Sequence, residues 1–301
     1  MGRLARTAAA VGGAGVACVA YGTLVERRWY RLRHLPLPGA LRRAANTPDG
    51  RLRILHVSDV HLVPGQDHRV RFLGSLARLD HDLVVATGDL LGATDAEDLA
   101  ADALAPLTAG GRPGLVVLGS NDLYGPIPKS PSTYFTRPER RIHGQRLDTD
   151  RLTDRLAAYG YRTLHGESLR LETPAGRIGV GGIDDPHLPT TVLPPVAAVT
   201  ADADDAVLHL GLVHAPYLAA LDVLVDAGHD LLLAGHTHGG QVRLPGLGAL
   251  VANCDLPLQQ ARGASRYRGR WLHVSPGLGH SRYAPFRFAC RPEATLLELS
   301  A

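Results

Sequence analysis

The stretch Leu231–Gln241 has the sequence LLLAGHTHGGQ and joins an apolar, strand-like run to two candidate metal ligands. The run ends abruptly at Gly235, and His236 and His238 then flank a single threonine. Two imidazoles at positions i and i+2, beside glycines that let a ligand approach the backbone closely, indicate a metal site. The motif alone is weak evidence, because a chain with 15 histidines can contain such a tripeptide by chance.

Four other apolar runs end in residues of the same kind. These runs are short and largely apolar, as expected of strands buried on both faces, and cover Leu52–Val57, Leu83–Thr87, Leu115–Leu118 and Val207–Val213. The candidate ligands that follow them are Asp59 and His61, Asp89, Asn121, and His214. In open α/β sheets, ligands bind just beyond the carboxyl ends of the strands, so we expect these side chains to converge.

The candidate ligands comprise two carboxylates, four imidazoles and one amide. Hard oxygens mixed with imidazoles suit Mn, Fe or Zn better than calcium or an all-thiolate site. Seven ligands are too many for one ion and suit two ions that share a carboxylate. Each residue alone could be a turn aspartate or a core histidine, but coincidence at the ends of five strands is hard to accept.

The overall composition is that of an ordinary folded protein. The chain has 301 residues and is 45% hydrophobic, which is enough for a full core in one large domain or two smaller ones. The net charge of +3 gives no strong electrostatic footprint for nucleic acid, so we expect no such partner. The three cysteines are widely spaced and indicate neither a disulfide framework nor a zinc cluster.

The amino terminus predicts a membrane segment. Thr7–Val25 is apolar or small throughout and matches the roughly 20 residues needed to cross a bilayer, although its Ala and Gly content leaves a cleaved signal peptide as the alternative. More arginines follow this segment than precede it, which favours a cytoplasmic catalytic part over an exported one. We therefore expect an anchor segment over residues 1–33, a linker over 34–51 and one domain over 52–301, held at the cell membrane.

The rest of the chain alternates between helical and strand-like patterns. Apolar residues at helical spacing predict helices over Val70–Leu79, Ala96–Leu107, Leu147–Tyr159 and Tyr217–Ala227. Hairpin signals extend over Tyr161–Gly182, and two more strand-like runs cover Trp271–Val274 and Thr295–Leu299. The Pro- and Arg-rich segment Leu123–Arg146 is either a solvated insertion or a lid over an anionic substrate.

Four motifs together resemble the signature of the calcineurin-like metallophosphoesterases. They are, in order, Asp59-x-His61, Gly88-Asp89, Val213-His214-Ala215 and Gly235-His236-Thr237-His238. The flanking sequences HVSDVHL, GHTHGGQVRLP and VSPGLGHSRYAPFRF resemble a bacterial branch whose members often carry an N-terminal membrane segment. The resemblance covers the chain from about Leu52 to the carboxyl terminus.

That resemblance implies a four-layer α/β/β/α sandwich of two mixed β-sheets flanked by helices, with two divalent ions (Mn, Fe or Zn). One ion would be held by Asp59, His61, Asp89 and His238. The other would be held by Asp89, Asn121, His214 and His236, with Asp89 as the bridge. The catalytic residues would be Asp89, Asn121 and His236, and a hydroxide between the ions would attack a phosphomonoester, phosphodiester or pyrophosphate, a lipid-linked one included.

The third strand departs from the family pattern. The family has Gly-Asn-His followed by Asp or Glu, whereas this chain has Gly119-Ser120-Asn121-Asp122. An ungapped alignment puts Ser120 at the ligand position, and a shift of one residue keeps Asn121, whose carboxamide oxygen is the better donor. Either way the usual histidine acid is missing, and His187 is either its replacement or part of a capped loop. The alternative function is therefore a catalytically weak binding or scaffold protein at the membrane.

Overall fold

The computed structural model describes residues 2–128, 144–201 and 204–301. Most of the segment predicted to be an insertion or a lid lies outside the described residues. The helices are α1 (Arg3–Ala20), α2 (Asp67–Leu76), α3 (Glu97–Leu104), α4 (Ser120–Leu123), α5 (Thr149–Ala158), α6 (Val196–Val199) and α7 (Leu218–Asp226). Short π or 3-10 turns cover Tyr21–Val25, Glu26–Arg28, Ala105–Thr108, His238–Gly240 and Leu258–Gln260.

A first mixed sheet holds six strands of the described chain. They are β1 (Arg31–Leu37), β2 (Leu52–Val57), β3 (Leu83–Ala86), β4 (Gly114–Val116), β5 (Tyr161–Thr163) and β14 (Glu293–Leu299). Their spatial order is β1-β14-β2-β3-β4-β5. Strands β2 to β5 are parallel, while β14 is antiparallel to β2 and parallel to β1.

A second mixed sheet also holds six strands. They are β6 (Glu167–Thr173), β7 (Gly176–Ile183), β8 (Leu208–Val213), β9 (Leu231–Ala234), β12 (Gly263–Tyr267) and β13 (Arg270–Val274). Their order is β12-β13-β9-β8-β7-β6, with parallel pairing from β13 to β7 and antiparallel pairing at both ends. The remaining two strands, β10 (Arg243–Leu244) and β11 (Gly248–Ala249), form a separate antiparallel hairpin.

Three apolar cores stack the elements into four layers. The first core packs α2, α3 and α5 on the first sheet, through residues such as Leu73, Leu104 and Leu152. The second lies between the two sheets and includes Ile54 and Leu210. The third packs α7 against the outer face of the second sheet. The mixed α/β architecture with two multi-stranded sheets, expected from the family resemblance, is therefore confirmed.

The segment predicted to be a linker begins inside the first sheet. Residues Arg31–Leu37 pair in parallel with β14, so the linker predicted over 34–51 is wrong for its first residues. Prolines such as Pro36 made the sequence resemble a linker, since proline cannot donate to a strand ladder. Strand β1 lies at the edge of its sheet, where proline is tolerated.

The hairpin signals over Tyr161–Gly182 describe only one hairpin. Strands β6 and β7 pair with each other, but β5 pairs with β4 in the other sheet. The turn at residues 165–166 therefore carries the chain from one sheet to the other. The turn residues do not distinguish a hairpin within one sheet from a connection between two sheets, because the chain must change direction in both.

Helix α1 covers most of the segment predicted to cross a membrane. Within the described chain, no helix combines the length and the apolar character that a bilayer span requires. The transmembrane segment predicted from the sequence is therefore not supported.

We predict that Leu210→Ala will lower the free energy of unfolding by about 2–5 kcal/mol, because it leaves a cavity between two packed sheets. The matched control is Val192→Ala, whose side chain is 88% exposed and should change stability by no more than about 0.5 kcal/mol. Urea denaturation of both variants measures the difference. Equal stabilities would contradict the assignment of Leu210 to the core between the sheets.

Candidate metal centre

All seven candidate ligands lie just beyond the carboxyl ends of strands. Three of them, on the loops after β2 and β3, are Asp59, His61 and Asp89. Asn121 lies in α4, just after β4. The second sheet supplies His214 after β8, and His236 and His238 after β9. The carboxyl ends of strands from both sheets therefore meet at one site, as the sequence predicts.

One group of donors combines Asp59, His61 and His238. One donor atom from each lies within 4.8 Å of the other two. The Nε2 atoms of His61 and His238 are 3.2 Å apart, and His238 Nε2 is 3.6 Å from Asp59 Oδ1. The two rings lie roughly parallel, with centroids 5.1 Å apart. Two ring nitrogens that face each other beside a carboxylate form one half of the site.

The second group combines Asp59, Asp89 and His214 within the same limit of 4.8 Å. Asp89 Oδ2 is 3.5 Å from His214 Nε2 and also 3.5 Å from His61 Nε2, so this carboxylate lies between the two groups. His236 joins the second group, since its Nδ1 is 3.3 Å from His214 Nε2. Asp89 Oδ2 is therefore near imidazole nitrogens from both sheets.

These distances fit divalent cations. Two donors bound to one ion at about 2.1 Å each lie about 3.0–3.4 Å apart. The His61–His238 and His214–His236 nitrogen pairs are 3.2 and 3.3 Å apart. Asp59 and Asp89 are 0% and 3% exposed, and two buried carboxylates need compensating positive charge. The described chain therefore supports binding of divalent metal here.

The protonation equilibria of the site show the same need for positive charge. Burial, opposed by the charge of His214, raises the pKa of Asp59 to about 7. Burial also acts to raise the pKa of Asp89, but the charge and hydrogen bond of His214 outweigh it and hold that pKa well below its ordinary value. Burial opposes a charge on His214, yet Asp89 and Asp185 raise its pKa well above the usual range.

The backbone at the ligands is strained. The left-handed φ angles of 48°, 43°, 53°, 67° and 50° belong to Asp59, His61, Asp89, His236 and His238, respectively. Side-chain-bearing residues rarely adopt this region, and such strain clusters at functional sites. Five strained residues among seven candidate ligands therefore mark the site independently of its distances.

The side chain of Asn121 contacts the ligand cluster. The carboxamide Nδ2 of Asn121 lies 2.6 Å from Asp89 Oδ2, and its backbone N–H donates to Asp89 Oδ1 at 2.8 Å. The backbone N–H of Ser120 donates instead to Asp185 Oδ2 at 2.9 Å. This geometry favours the shifted alignment, and ligation by Asn121 stays a prediction.

Sequence reasoning missed Asp122, which ties two ligand loops together. Its Oδ1 accepts the backbone N–H groups of Leu90 and Leu91 at 2.7 and 3.0 Å, and its Oδ2 accepts that of Gly119 at 2.9 Å. The loops that carry Asp89 and Asn121 are thereby locked to each other. An acidic residue three positions after Gly119, where it can cap a helix, was the available sequence signal.

Two buried arginines were also missed. Arg69 is 1% exposed and donates to the carbonyl of His61 at 2.7 Å. Arg287 is 0% exposed, donates to the carbonyl of Pro276 at 2.7 Å and lies 3.2 Å from His238 Nδ1. Neither forms an ion pair within the described chain, so both charges are satisfied mainly by loop carbonyls. Nothing in the sequence distinguishes these arginines from the many exposed ones.

His187 lies beside the second group of donors. Its ring centroid is 4.4 Å from that of His236, and its Nδ1 is 2.9 Å from the hydroxyl of Tyr217. Its backbone N–H donates to Asp185 Oδ1 at 2.9 Å, which is the capped loop named as the alternative. His187 therefore lies in a capped loop and also beside the candidate ligands. A catalytic role for His187 stays a prediction.

We predict that Gly235→Ala will weaken Mn²⁺ binding by about 10–100-fold, the range typical when the support of a metal ligand is lost. A Cβ at Gly235 would overlap Ser58 Oγ and come within 2.6 Å of Asp59 Oδ2. The matched control is Gly74→Ala, because a Cβ there meets nothing within 4 Å. Isothermal titration calorimetry measures both affinities. Unchanged binding by Gly235→Ala would contradict the placement of Asp59 in the metal site.

Comparison with known proteins agrees with this geometry. The family model described as calcineurin-like phosphoesterase matches residues 52–240, which include all seven candidate ligands. The chain is 32% identical over 153 residues to the uncharacterized metallophosphoesterase YkoQ of Bacillus subtilis, covering 50% of this chain and 54% of that protein. The chain thus spans about half the length of this relative.

Two further similarities are more distant. The chain is 27% identical over 207 residues to the phosphodiesterase YaeI of Escherichia coli, covering 62% of this chain and 71% of that protein. The solved structure of TT1561 from Thermus thermophilus covers 75% of this chain and 90% of its own, with a TM-score of 0.41 and 14% identity. A structural likeness this weak adds nothing to the assignment.

The sequence motifs, the buried donor cluster and the family match agree with one another. They confirm the family expected from the sequence resemblance. The chain belongs to the calcineurin-like phosphoesterase family.

Proposed function

We propose that the protein is a dinuclear-metal phosphoesterase. The observation that carries the proposal is the buried meeting of two carboxylates and four imidazoles, contributed by both sheets, with facing donor atoms 3.2–3.6 Å apart. Packing of the core does not explain this arrangement, because a buried carboxylate without a compensating charge lowers the stability of the fold.

The donor groups divide naturally between two ions. Asp59, His61, Asp89 and His238 would hold one, and Asp89, Asn121, His214 and His236 would hold the other. When bound, the ions supply positive charge to the phosphate and lower the pKa of a bound water so that it can attack phosphorus. Mixed oxygen and imidazole donors favour Mn, Fe or Zn.

The proposed substrates have leaving groups that depart without a proton. A well-placed general acid contributes roughly 10²–10⁴-fold to rate, and the Gly119–Asp122 motif lacks the histidine that would supply that proton. Esters of acidic alcohols and pyrophosphates are least affected by this loss. The name of the similar YaeI protein, a phosphodiesterase, supports a diester rather than a simple alkyl monoester.

We predict that purified protein will hydrolyse bis(p-nitrophenyl) phosphate when Mn²⁺ is added, and that chelation will abolish turnover. Asp89→Asn should lower kcat/KM by more than about 100-fold, because it removes the ligand that both ions share. The control Asp80→Asn should have no effect, since the Asp80 side chain is 90% exposed.

The opposite result would favour the scaffold alternative. Wild-type protein that holds no metal and turns over neither this diester nor p-nitrophenyl phosphate would contradict an enzymatic role. A protein that binds metal and remains inactive would keep the metal site and lose the proposed chemistry.

We also propose that the protein attaches to an anionic lipid surface at the cell membrane, with its catalytic domain in the cytoplasm. Support comes from exposed apolar side chains near the N-terminal helix, with Val16 71%, Leu24 60% and Trp29 52% exposed. A Cβ added at Gly12, Gly13 or Gly15 would meet nothing within 4 Å, so this part of α1 packs against no other described element.

A second apolar element is linked to the end of α1. In the β10–β11 hairpin, Leu244 and Leu247 are 40% and 80% exposed. Phe288 connects the hairpin to the helix end. Its carbonyl accepts the Arg243 N–H at 2.9 Å, and its ring packs edge-on against Tyr21 at 6.3 Å. Arginine and tryptophan beside exposed leucines suit a membrane interface, and the Arg291 guanidinium lies 3.9 Å above the Trp29 ring.

We predict that the full chain will float with vesicles containing phosphatidylglycerol, and that Leu244→Ser/Leu247→Ser will reduce partitioning by at least about tenfold. Burial of one leucine is worth roughly 1.5–3 kcal/mol, which sets this minimum. The control Val192→Ser changes an 88% exposed residue on a different loop and should float normally. Wild-type protein that stays at the bottom of the gradient would rule out this attachment while leaving the phosphoesterase proposal intact.

A further inference from the structure

A row of buried polar side chains extends from Asp59 into the core between the two sheets. His56 on β2, His273 on β13, Thr87 and Ser58 are all 0% exposed. Their neighbours in this core are aliphatic, including Ile54, Val85 and Leu233. Polar groups in such a place destabilise the fold unless each one is hydrogen-bonded. The row therefore needs an explanation.

Four short contacts connect these side chains to the metal site. His273 Nδ1 is 2.8 Å from His56 Nδ1, and His56 Nε2 is 2.9 Å from Thr87 Oγ1. Thr87 Oγ1 is 2.8 Å from Ser58 Oγ, which is 2.6 Å from Asp59 Oδ2. The second sheet thus contacts a candidate ligand of the first sheet through an unbroken series of hydrogen bonds.

The direction of every bond follows from Asp59. A carboxylate that binds metal is ionised and only accepts, so Ser58 then donates its one proton to Asp59 and must accept from Thr87. Ser58 Oγ also lies 3.2 Å from the Thr87 carbonyl, but the carboxylate is nearer and charged. Thr87 in turn donates to Ser58 and accepts the Nε2–H of His56. With its proton on Nε2, a neutral His56 accepts at Nδ1 from the Nδ1–H of His273.

The far end of the series is consistent with this direction. His273 Nε2 is buried and has no partner within the described chain. The assigned tautomer leaves a lone pair there, which costs less than an orphaned N–H. Burial lowers the pKa of His273 to about 3 and that of His56 well below its usual value, so each ring carries a single proton.

We propose that His273, His56, Thr87 and Ser58 form a one-way hydrogen-bond chain that positions Asp59 for metal binding. The chain holds Oδ2, to which the backbone N–H of His236 also donates at 3.0 Å. It leaves Oδ1 directed at His238 Nε2, 3.6 Å away. These are positioning residues, and their role rests on the proposed metal site. Groups behind a metal ligand that fix its orientation commonly change affinity by about 10–100-fold.

Substitution at Thr87 tests the chain at its centre. Thr87→Val keeps the shape but removes the hydroxyl, and should weaken Mn²⁺ binding by about 10–100-fold in calorimetric titration. Thr87→Ser keeps the hydroxyl and should restore wild-type affinity. The control Thr108→Val removes a buried hydroxyl that donates to the carbonyl of Tyr159, and should not change Mn²⁺ affinity.

Nitrogen-15 NMR of wild-type protein tests the direction without any substitution. Two-bond correlations from labelled histidine should show His56 protonated at Nε2 and His273 protonated at Nδ1, both neutral at pH 7. The reversed tautomers would overturn the chain even if Thr87→Val failed to fold. If Thr87→Val bound Mn²⁺ as tightly as the wild-type protein, the hydrogen-bond chain would also be overturned. If the wild-type protein bound no Mn²⁺, the proposed function itself would be overturned.

Discussion

One buried carboxylate, that of Asp89, joins the two halves of the metal centre. Its Oδ2 lies 3.5 Å from an imidazole nitrogen of the first sheet and 3.5 Å from one of the second, and 2.6 Å from the carboxamide of Asn121. A carboxylate in this position, with Asp59 close by, is stable only if cations or protons balance the charge. The surrounding fold positions the imidazoles and backbone N–H groups that meet this need for charge compensation.

Both sheets are needed because no single loop can supply this geometry. Ligand residues on left-handed backbone resist relaxation only where the surroundings hold them. Asp122 ties the loops after β3 and β4 together, while Arg69 and Arg287 bind the carbonyls of the loops around His61 and His238. The His56–His273 contact adds a link between the sheets beneath Asp59. These hydrogen bonds fix the ligand loops relative to one another and so preorganise the site.

The Gly119–Asp122 motif lacks the histidine that is usual in the family, and this changes what such a preorganised site can do. Electrostatic stabilisation of the phosphate depends on the proposed ligand set and does not need that histidine. Proton transfer to the leaving group depends on a residue that this chain lacks at that position. These two effects together narrow the range of proposed substrates without removing the proposed chemistry. The apolar surface formed by the α1 end and the β10–β11 hairpin is the proposed contact with lipid.

The sequence by itself determined the family, the main strands and the positions of the candidate ligands at the strand ends. Each ligand motif is local, because a buried strand and the polar residue that ends it are adjacent in the chain. Strand β2 was predicted to the residue, and β3, β8 and β9 nearly so, for the same reason. Donor chemistry favours Asn121 over Ser120, and ligation by Asn121 stays a prediction, although its carboxamide contacts Asp89.

Only the tertiary structure decided which strands pair and which polar residues support the ligands. Pro36 lies in a strand because β1 pairs with β14 at the edge of the first sheet. Strands β5 and β6 do not pair with each other, because β5 pairs with β4 in the first sheet and β6 with β7 in the second. Asp122, Arg287 and the His56–His273 pair act through contacts as distant as 217 residues in the chain. No local pattern encodes such partners, since their hydrogen bonds exist only after both sheets have packed.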